Sequence, residues 1–381
     1  MRVLILSVTA GYGHHATAKA VGDLLTSRGA EVHTLDVYAY ISNLIKTTID
    51  KGYLFSSKHM QTLYRLVYQL AENNGASYFS SAPSIINIIN ALGASKFAKV
   101  LAGYAPDAIV CTHIFAAQMV DELKKRKKLA DIQTIGIVTD YTLHPYWEDV
   151  PRVQYIVTAS ELLTYRCVKR GIPEDRILPF GIPVHPKFNR YLSREDAAAQ
   201  LGLDPAMRTL LLMGGSMGYA DHIKTLEVLT QIGLPLQLLV VCGNNAKMKV
   251  RVEQFAAKYE GQCIIKPYGF VNNVEVMMSA SDCIVSKPGG LTVSEALAKN
   301  LPMLLVDPIP GHEERNVEFL VNNGMAALIT KHFPIDEAVY ELFSNPVRLQ
   351  TVRQTMRAIA HPDATEHLVD FILHELPVET K

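Results

Sequence analysis

Short apolar runs recur along the chain, separated by segments with helical spacing. In the first half they are RVLILSV (2–8), EVHTLDV (31–37), DAIVCT (107–112), TIGIVT (134–139) and QYIVTA (154–159). In the second half they are RTLLLMG (208–214), LQLLVVC (236–242), QCIIKP (262–267), DCIVSK (282–287) and PMLLVD (302–307). Continuous runs of this kind between helices fit parallel strands covered on both faces. Both series open alike, with strand, glycine turn and helix: LSVTAGYGHHA in the first, LLMGGSMGYA in the second. The expected fold class is α/β, with two doubly wound, Rossmann-like domains in tandem. The stretch PFGIPVHPKFNRYLS, Pro179–Ser193, holds three prolines and a glycine and marks the boundary. The first domain is placed over 1–185 and the second over 186–360. A C-terminal helix falls within 361–381, and whether it packs back on the first domain stays open.

One region breaks the alternation. Between Asp36 and Pro106 only helical patterns and a polar patch occur. In HMQTLYRLVYQLA, the residues Met60, Leu63, Tyr64, Val67, Tyr68 and Ala71 share one helix face, with Lys58 and Arg65 nearby. Such a helix packs on its own domain, lies on a membrane, or lines an acceptor groove.

The length of 381 residues suits two α/β domains rather than one core. No apolar run is long enough to span a bilayer, and Met1-Arg2 leads straight into a strand without a signal-peptide pattern. The five cysteines show no C-x-x-C spacing, which predicts reduced thiols in a cytoplasmic protein. The net charge of zero hides an asymmetry. Residues 1–194 carry 22 Lys and Arg against 15 Asp and Glu, and the remainder carries 15 against 22. A basic first half would suit an anionic membrane surface. No nucleic-acid partner is expected.

The candidate chemistry lies in the turns. Gly11-Tyr12-Gly13-His14-His15-Ala16 has the Gly-x-Gly-x-x-Ala form of a dinucleotide loop, and a helix N-terminus behind such a loop attracts an anion. Asp36 lies 20 residues after Ala16, where a dinucleotide fold places its ribose acid, so a nicotinamide enzyme competes at this point. The second half offers more. MGGSMG (213–218) follows a strand with small residues and a hydroxyl, suited to a phosphate. In SKPGGLTVSEAL (286–297), Gly289 and Gly290 allow a ligand to approach the backbone, and Leu291 and Thr292 open a helix facing it. Glu295, one turn into that helix, can accept two hydrogen bonds from a ribose diol. DPIPGHEERN (307–316) supplies donors and acceptors for sugar hydroxyls. Two phosphate turns with a diol acceptor describe a nucleotide-sugar site better than the lone first turn describes a dinucleotide site. No Asp-x-Asp occurs, so the usual carboxylate pair of a metal–diphosphate site is absent, and neither metal nor other cofactor is expected.

The segments GYGHHATAKA, VTDYTLHPYW, GIPVHPKF, MGGSMG and SKPGGLTVSEALAKNLPMLLVDPIPGHEERN resemble the bacterial diacylglycerol glucosyltransferase and plant monogalactosyldiacylglycerol synthase family of glycosyltransferase family 28. They are more distantly similar to the transferase that forms lipid II. The resemblance implies a GT-B fold with its active site in a cleft between the domains, a UDP-sugar donor on the C-terminal domain, and a lipid acceptor, diacylglycerol, on the N-terminal one. It implies inversion without a metal, in a cytoplasmic enzyme peripheral to the inner face of the membrane. By the same resemblance His14 is the reactive or sugar-contacting histidine beside Gly13, and Asp140 is the rival base or its orienting partner. Gly215 and Ser216 match the phosphate turn. Phe270 and Val271 match the uracil segment, Glu295 the ribose acid, and Glu314, Arg315 and Asn316 the donor-sugar loop. His185 stands where relatives often carry arginine, which alters the charge offered to a diphosphate. His144 and Trp147 line the acceptor entrance or belong to a packed loop. Glucose, galactose and N-acetylglucosamine are not distinguished. A lipid II-type transferase, a UDP-sugar 2-epimerase and a non-catalytic nucleotide-sugar-binding protein remain as alternatives.

Overall fold

A computed structural model describes residues 1–8, 12–37, 40, 97–98, 100–101, 103–126, 129, 132–214 and 221–377. The apolar stripe of Met60, Leu63, Tyr64 and Val67, and the turn residues Gly215 and Ser216, lie outside them. The chain divides into two compact units, Met1–His185 with Asp363–Lys381, and Pro186–Pro362.

The first unit is built on a parallel six-stranded sheet. Its strands are β1 (Arg2–Ser7), β2 (Glu31–Asp36), β3 (Ala108–Cys111), β4 (Gln133–Ile137), β5 (Tyr155–Val157) and β6 (Ile177–Leu178), in the order β2-β1-β3-β4-β5-β6. Alternate residues of one strand serve two cores, because side chains alternate across the sheet. Leu4 and Leu6 of β1 join Ile109 and Cys111 of β3 against the helix Ile114–Lys125. Val3 and Ile5, with Ala108 and Val110, face the opposite way, toward Ala18, Val21 and Leu25 of the helix Tyr12–Ser27. The C-terminal segment joins that second core through Leu368, Val369, Phe371 and Ile372. Phe371 meets Tyr155 and Phe180 edge-on, with centroids 5.0 and 5.9 Å away.

The second unit repeats the architecture. Its strands are β7 (Arg208–Met213), β8 (Leu236–Val241), β9 (Ile264–Tyr268), β10 (Cys283–Ser286), β11 (Met303–Leu305) and β12 (Ala326–Leu328), ordered β12-β11-β10-β7-β8-β9 and parallel throughout. Leu210, Leu212, Leu238, Val240 and Val285 pack against Val339 and Leu342 of the helix Ile335–Ser344.

In each sheet the strand order reverses once, between β1 and β3 and between β7 and β10. Neighbouring connections there leave on opposite faces, and the carboxyl ends of the two strands open a crevice where α/β proteins hold ligands. The first-turn histidines fall at one reversal and the Pro-Gly-Gly turn at the other.

Candidate active site

At the first reversal, residues that follow three strands meet. His14 lies in the first turn of the helix Tyr12–Ser27, while His15, its neighbour, is exposed. His14 Nδ1 is 2.8 Å from the carbonyl oxygen of Thr112, which follows β3, and 3.0 Å from Oγ1 of Thr139, which follows β4. A carbonyl oxygen only accepts, so Nδ1 carries the proton and donates it. In neutral His14, Nε2 is then the nitrogen with a lone pair. The ring of His113 stands edge-on to His14, with centroids 4.6 Å apart. His113 is buried and caps the helix Ile114–Lys125, its Nδ1 accepting from the Phe115 amide at 3.1 Å. Burial, reinforced by the neighbouring His14 and His144, holds the His113 pKa well below its usual value, so this imidazole stays neutral. Asp140 follows Thr139 directly and is half-buried. His144 is buried and accepts from the Tyr146 amide at 3.3 Å. Trp147 sits in the core beside β4, where a β-carbon on Gly136 would come within 2.4 Å of its ring. Both His144 and Trp147 are buried.

The helix Tyr12–Ser27 is held to the segment that closes the first unit. Thr17 Oγ1 donates to the Pro183 carbonyl at 3.2 Å, and Thr365 Oγ1 to that of Val184 at 2.5 Å. His185 follows these anchors and is exposed.

At the second reversal, β10 leads through Lys287-Pro288-Gly289 into the helix Gly290–Ala298, with Gly289 as its N-cap and Leu291 and Thr292 in its first turn. Gly289 has φ −69° and ψ 135°, which any residue adopts. A β-carbon there would meet only Glu313 Oε1, at 3.8 Å. Neither backbone conformation nor packing within the protein requires this glycine, whereas a ligand resting on the backbone would. Gly290 is buried. The loop after β11 is braced onto the same place. Asn316, fully buried, donates from Nδ2 to the Pro288 carbonyl at 3.0 Å. Glu313 Oε2 accepts from the Ile309 amide at 2.7 Å, and Glu314 Oε2 from the Gly311 amide at 3.0 Å as a helix cap. Arg315, between Glu314 and Asn316, is half-buried. Asp307, which opens this loop, sits in the left-handed region at φ 44°.

Glu295 lies one turn inside the helix. Burial pushes its carboxyl up to about 8, with the Lys187 ammonium pulling the other way and Glu275 adding to the rise. Lys187 Nζ pairs with Glu275 Oε2 at 2.6 Å and donates to the Asn272 carbonyl at 2.6 Å. The loop after β9 is thereby held near Glu295. Phe270 in that loop is 57 % exposed, an open aromatic face beside half-buried Val271. The structure thus gathers Gly289, Gly290, Leu291, Thr292, Glu295, Glu314, Arg315 and Asn316 around one strand end. Sequence reasoning missed Thr112, Thr139 and His113 in the first unit and Lys187, Glu275 and Glu313 in the second. His113 had a usable signal, since it directly follows the apolar run DAIVCT at a strand-to-helix turn.

Among the described residues no helix is long and apolar enough to cross a membrane, and no group of three or more His, Cys, Asp or Glu could hold a metal.

MurG of Acinetobacter baumannii superposes with a TM-score of 0.62 at 21% identity, over 97% of this chain and 99% of that one. Os79 from O. sativa in complex with UDP does so with a TM-score of 0.58 at 15% identity, over 96% and 95%. A processive diacylglycerol beta-glucosyltransferase of Bacillus pumilus is 27% identical over 375 residues, covering 98% of this chain and 95% of that protein. Two units of Rossmann type, each with candidate chemistry at its strand-order reversal, have the GT-B glycosyltransferase fold. Residues 14–184 match the monogalactosyldiacylglycerol synthase family, and residues 209–368 match the glycosyltransferase family 28 C-terminal domain. The chain thus carries a monogalactosyldiacylglycerol synthase domain followed by a glycosyltransferase family 28 C-terminal domain.

Proposed function

We propose that this transferase moves a hexose, glucose, from a UDP-sugar to diacylglycerol, with inversion and without a metal. The observation that carries the reading is the fixed tautomer of His14, whose Nδ1 proton is committed to the Thr112 carbonyl. Nε2 then takes the proton of the acceptor hydroxyl while that oxygen attacks the anomeric carbon. The bond from that carbon to the diphosphate breaks as the new glycosidic bond forms on the opposite face, and UDP leaves. Asp140 orients His14 or takes the base role in its place. Backbone amides at the start of the helix Gly290–Ala298, with Thr292 and the turn at Gly215 and Ser216, meet the charge of the leaving diphosphate. His185 is a further donor to it. Phe270 offers its face to the uracil and Val271 its backbone, and Glu295 takes the ribose diol. Arg315 and Glu314 read the sugar, while buried Asn316 acts through the Pro288 turn it braces. The donor and acceptor draw support from the names of relatives: the Bacillus pumilus protein is called a diacylglycerol glucosyltransferase, and the Os79 structure is a complex with UDP. A screen of UDP-glucose, UDP-galactose and UDP-N-acetylglucosamine with diacylglycerol, read by thin-layer chromatography, tests this. Labelled glycolipid from UDP-glucose is expected. Label only with UDP-N-acetylglucosamine and a polyprenyl acceptor would overturn it.

Glu295 gives a second test. Loss of hydrogen bonds to a charged acceptor costs about 1.5–3 kcal/mol, so Glu295→Ala is expected to weaken UDP roughly tenfold or more. 2′-Deoxy-UDP should lose much less, and an unchanged ratio between the two would remove Glu295 from the ribose. A diol donates to the ionised carboxylate, whose pKa is about 8 in the free protein. UDP affinity should therefore rise with pH up to that value in the native chain, relative to Glu295→Gln, in titration calorimetry. The stability sign is opposite. Between the unfolded carboxyl's range, about 4.3, and a folded value of about 8, the native state holds a proton that the unfolded chain lacks. Stability falls as pH rises through that window, and Glu295→Gln removes the slope.

Membrane engagement is also proposed, from the basic first half and the Met60–Val67 stripe. Binding to anionic vesicles should weaken as salt rises, since the Debye length falls from about 10 Å at 0.1 M to about 3 Å at 1 M. Leu63→Ser with Val67→Ser should release the protein while UDP still binds. Simultaneous loss of thermal stability and UDP binding would make the two side chains core.

A further inference from the structure

The second unit carries a cationic pocket at the end of its sheet opposite the donor loops. The cavity, about 420 Å³, is lined by Arg208, Arg353 and Arg357 with Gln350 and Gln354, over a floor that includes Leu349, and none of its lining residues is acidic. Arg208 opens β7 and the candidate phosphate turn follows that strand's last residue. At about 3.3 Å per residue the two ends lie roughly 17 Å apart, too far to share one ligand phosphate.

Two of the three guanidiniums are held in place. Arg208 Nη1 donates to Asp282 Oδ1 at 2.8 Å, and its guanidinium lies 5.6 Å from the centre of the Phe343 ring. With the Asn300 amide turned to the orientation that satisfies its neighbours, Arg357 donates from Nε and Nη2 to its oxygen at 2.8 and 3.2 Å, and its nitrogen donates to the Arg353 carbonyl at 2.8 Å. No described residue makes a hydrogen bond or ion pair with the Arg353 guanidinium. The fully buried Asp282 is the counter-charge, and Arg194 Nη1 already claims it at 2.5 Å. Arg194 and Arg208 thus pair with one carboxylate, and Arg353 also feels its charge. Burial lowers the Arg353 pKa, and Arg194 and Arg208 lower it further against the pull of Asp282. A preorganised fork of guanidiniums with uncompensated charge, flanked by amide donors, matches a tetrahedral oxyanion.

We propose that this pocket is a second ligand site, for a phosphate or phosphomonoester, with Arg353 as its central ligand and Arg208, Arg357, Gln350 and Gln354 around it. It is separate from the donor loops and rests on no assumption about the transferred sugar. Its elements also reach those loops. Asp282 directly precedes β10, which ends at the Pro-Gly-Gly turn, and Asn300, at φ 50°, ends the helix that Gly289 begins.

Titration calorimetry of the full chain with inorganic phosphate and with glycerol 3-phosphate, at ionic strength held constant with chloride, tests the site. Arg353→Gln is expected to weaken binding at least tenfold. Arg357→Gln, a change at an exposed position, should weaken it in the same direction and guards against a folding defect in the first variant. Phosphatidylcholine vesicles with and without phosphatidic acid form a second arm. Binding of the free ions that both variants lose supports the site with a soluble ligand. Binding confined to phosphatidic acid vesicles, and lost in both variants, supports it with a lipid headgroup as the source. Binding unchanged by either substitution, or no binding in either arm, overturns the proposal.

Discussion

Replacing His14 by alanine is expected to lower kcat at least 100-fold, the low end of what a positioned general base contributes. UDP affinity should stay within a factor of two or three, because the uridine contacts proposed for Phe270 and Glu295 belong to the other unit. The expectation follows from the tautomer. The Thr112 carbonyl at 2.8 Å commits Nδ1 as donor and leaves Nε2 for the acceptor proton. Steady-state turnover with UDP-glucose and diacylglycerol, paired with UDP titration, reads both quantities. An equal loss in UDP affinity and turnover would make His14 a diphosphate ligand rather than a base. Thr139, 3.0 Å from the same Nδ1, should matter less, since the carbonyl alone fixes the tautomer.

Asp282→Ala is expected to destabilise the protein by about 3–5 kcal/mol, the range for removing one partner of a buried ionic cluster. The carboxylate accepts from Arg194, Arg208 and the Thr209 amide, at 2.5, 2.8 and 2.8 Å. Burial alone would raise its pKa. The hydrogen bond from Arg194, then that of the Thr209 amide, outweighs burial and holds the carboxyl below its usual range. A depressed folded pKa contributes stability that is present above the unfolded value, about 3.9, and lost as pH falls through the folded one. The native chain should therefore lose stability more steeply than Asp282→Ala at strongly acidic pH. At about 2–4 °C per kcal/mol for a domain of this size, the neutral-pH shift in Tm is roughly 6–20 °C. Thermal unfolding followed by circular dichroism measures it. A change within about 0.5 kcal/mol, as for an ordinary surface position, would contradict the role assigned to this carboxylate.

Among the described residues, ten of the twelve strands are legible as apolar runs, most plainly central ones such as β1, β3, β8 and β10, which are buried on both faces and so apolar nearly throughout. The two that escape are β6, two residues long before a Pro-Phe-Gly turn, and β12, Ala326–Leu328, whose alanines have weak strand propensity. Both lie at sheet edges, where pairing to one neighbour suffices. Strand order is not in the pattern at all, since nothing local says that β3 pairs with β1 rather than β2. The site divides along the same line. His14, Gly289 and Glu295 stand in turns with local signatures. Their partners do not: Thr112 is 98 residues from His14 and Thr139 is 125, and only the sheet brings them together. The raised pKa of Glu295 was equally hidden, because it arises from burial, with Glu275 adding to it against the pull of Lys187. The return of the last helix to the first unit depends on Leu368 and Phe371 meeting a core that no helical pattern identifies.

In the proposed reaction the sugar goes to a lipid hydroxyl rather than to water or back onto the nucleotide. UDP release from UDP-glucose, measured with and without diacylglycerol by a coupled enzymatic assay, tests it most directly. Release is expected only when diacylglycerol is present, in step with glucose appearing in the lipid phase. Equal release with and without the lipid would contradict it.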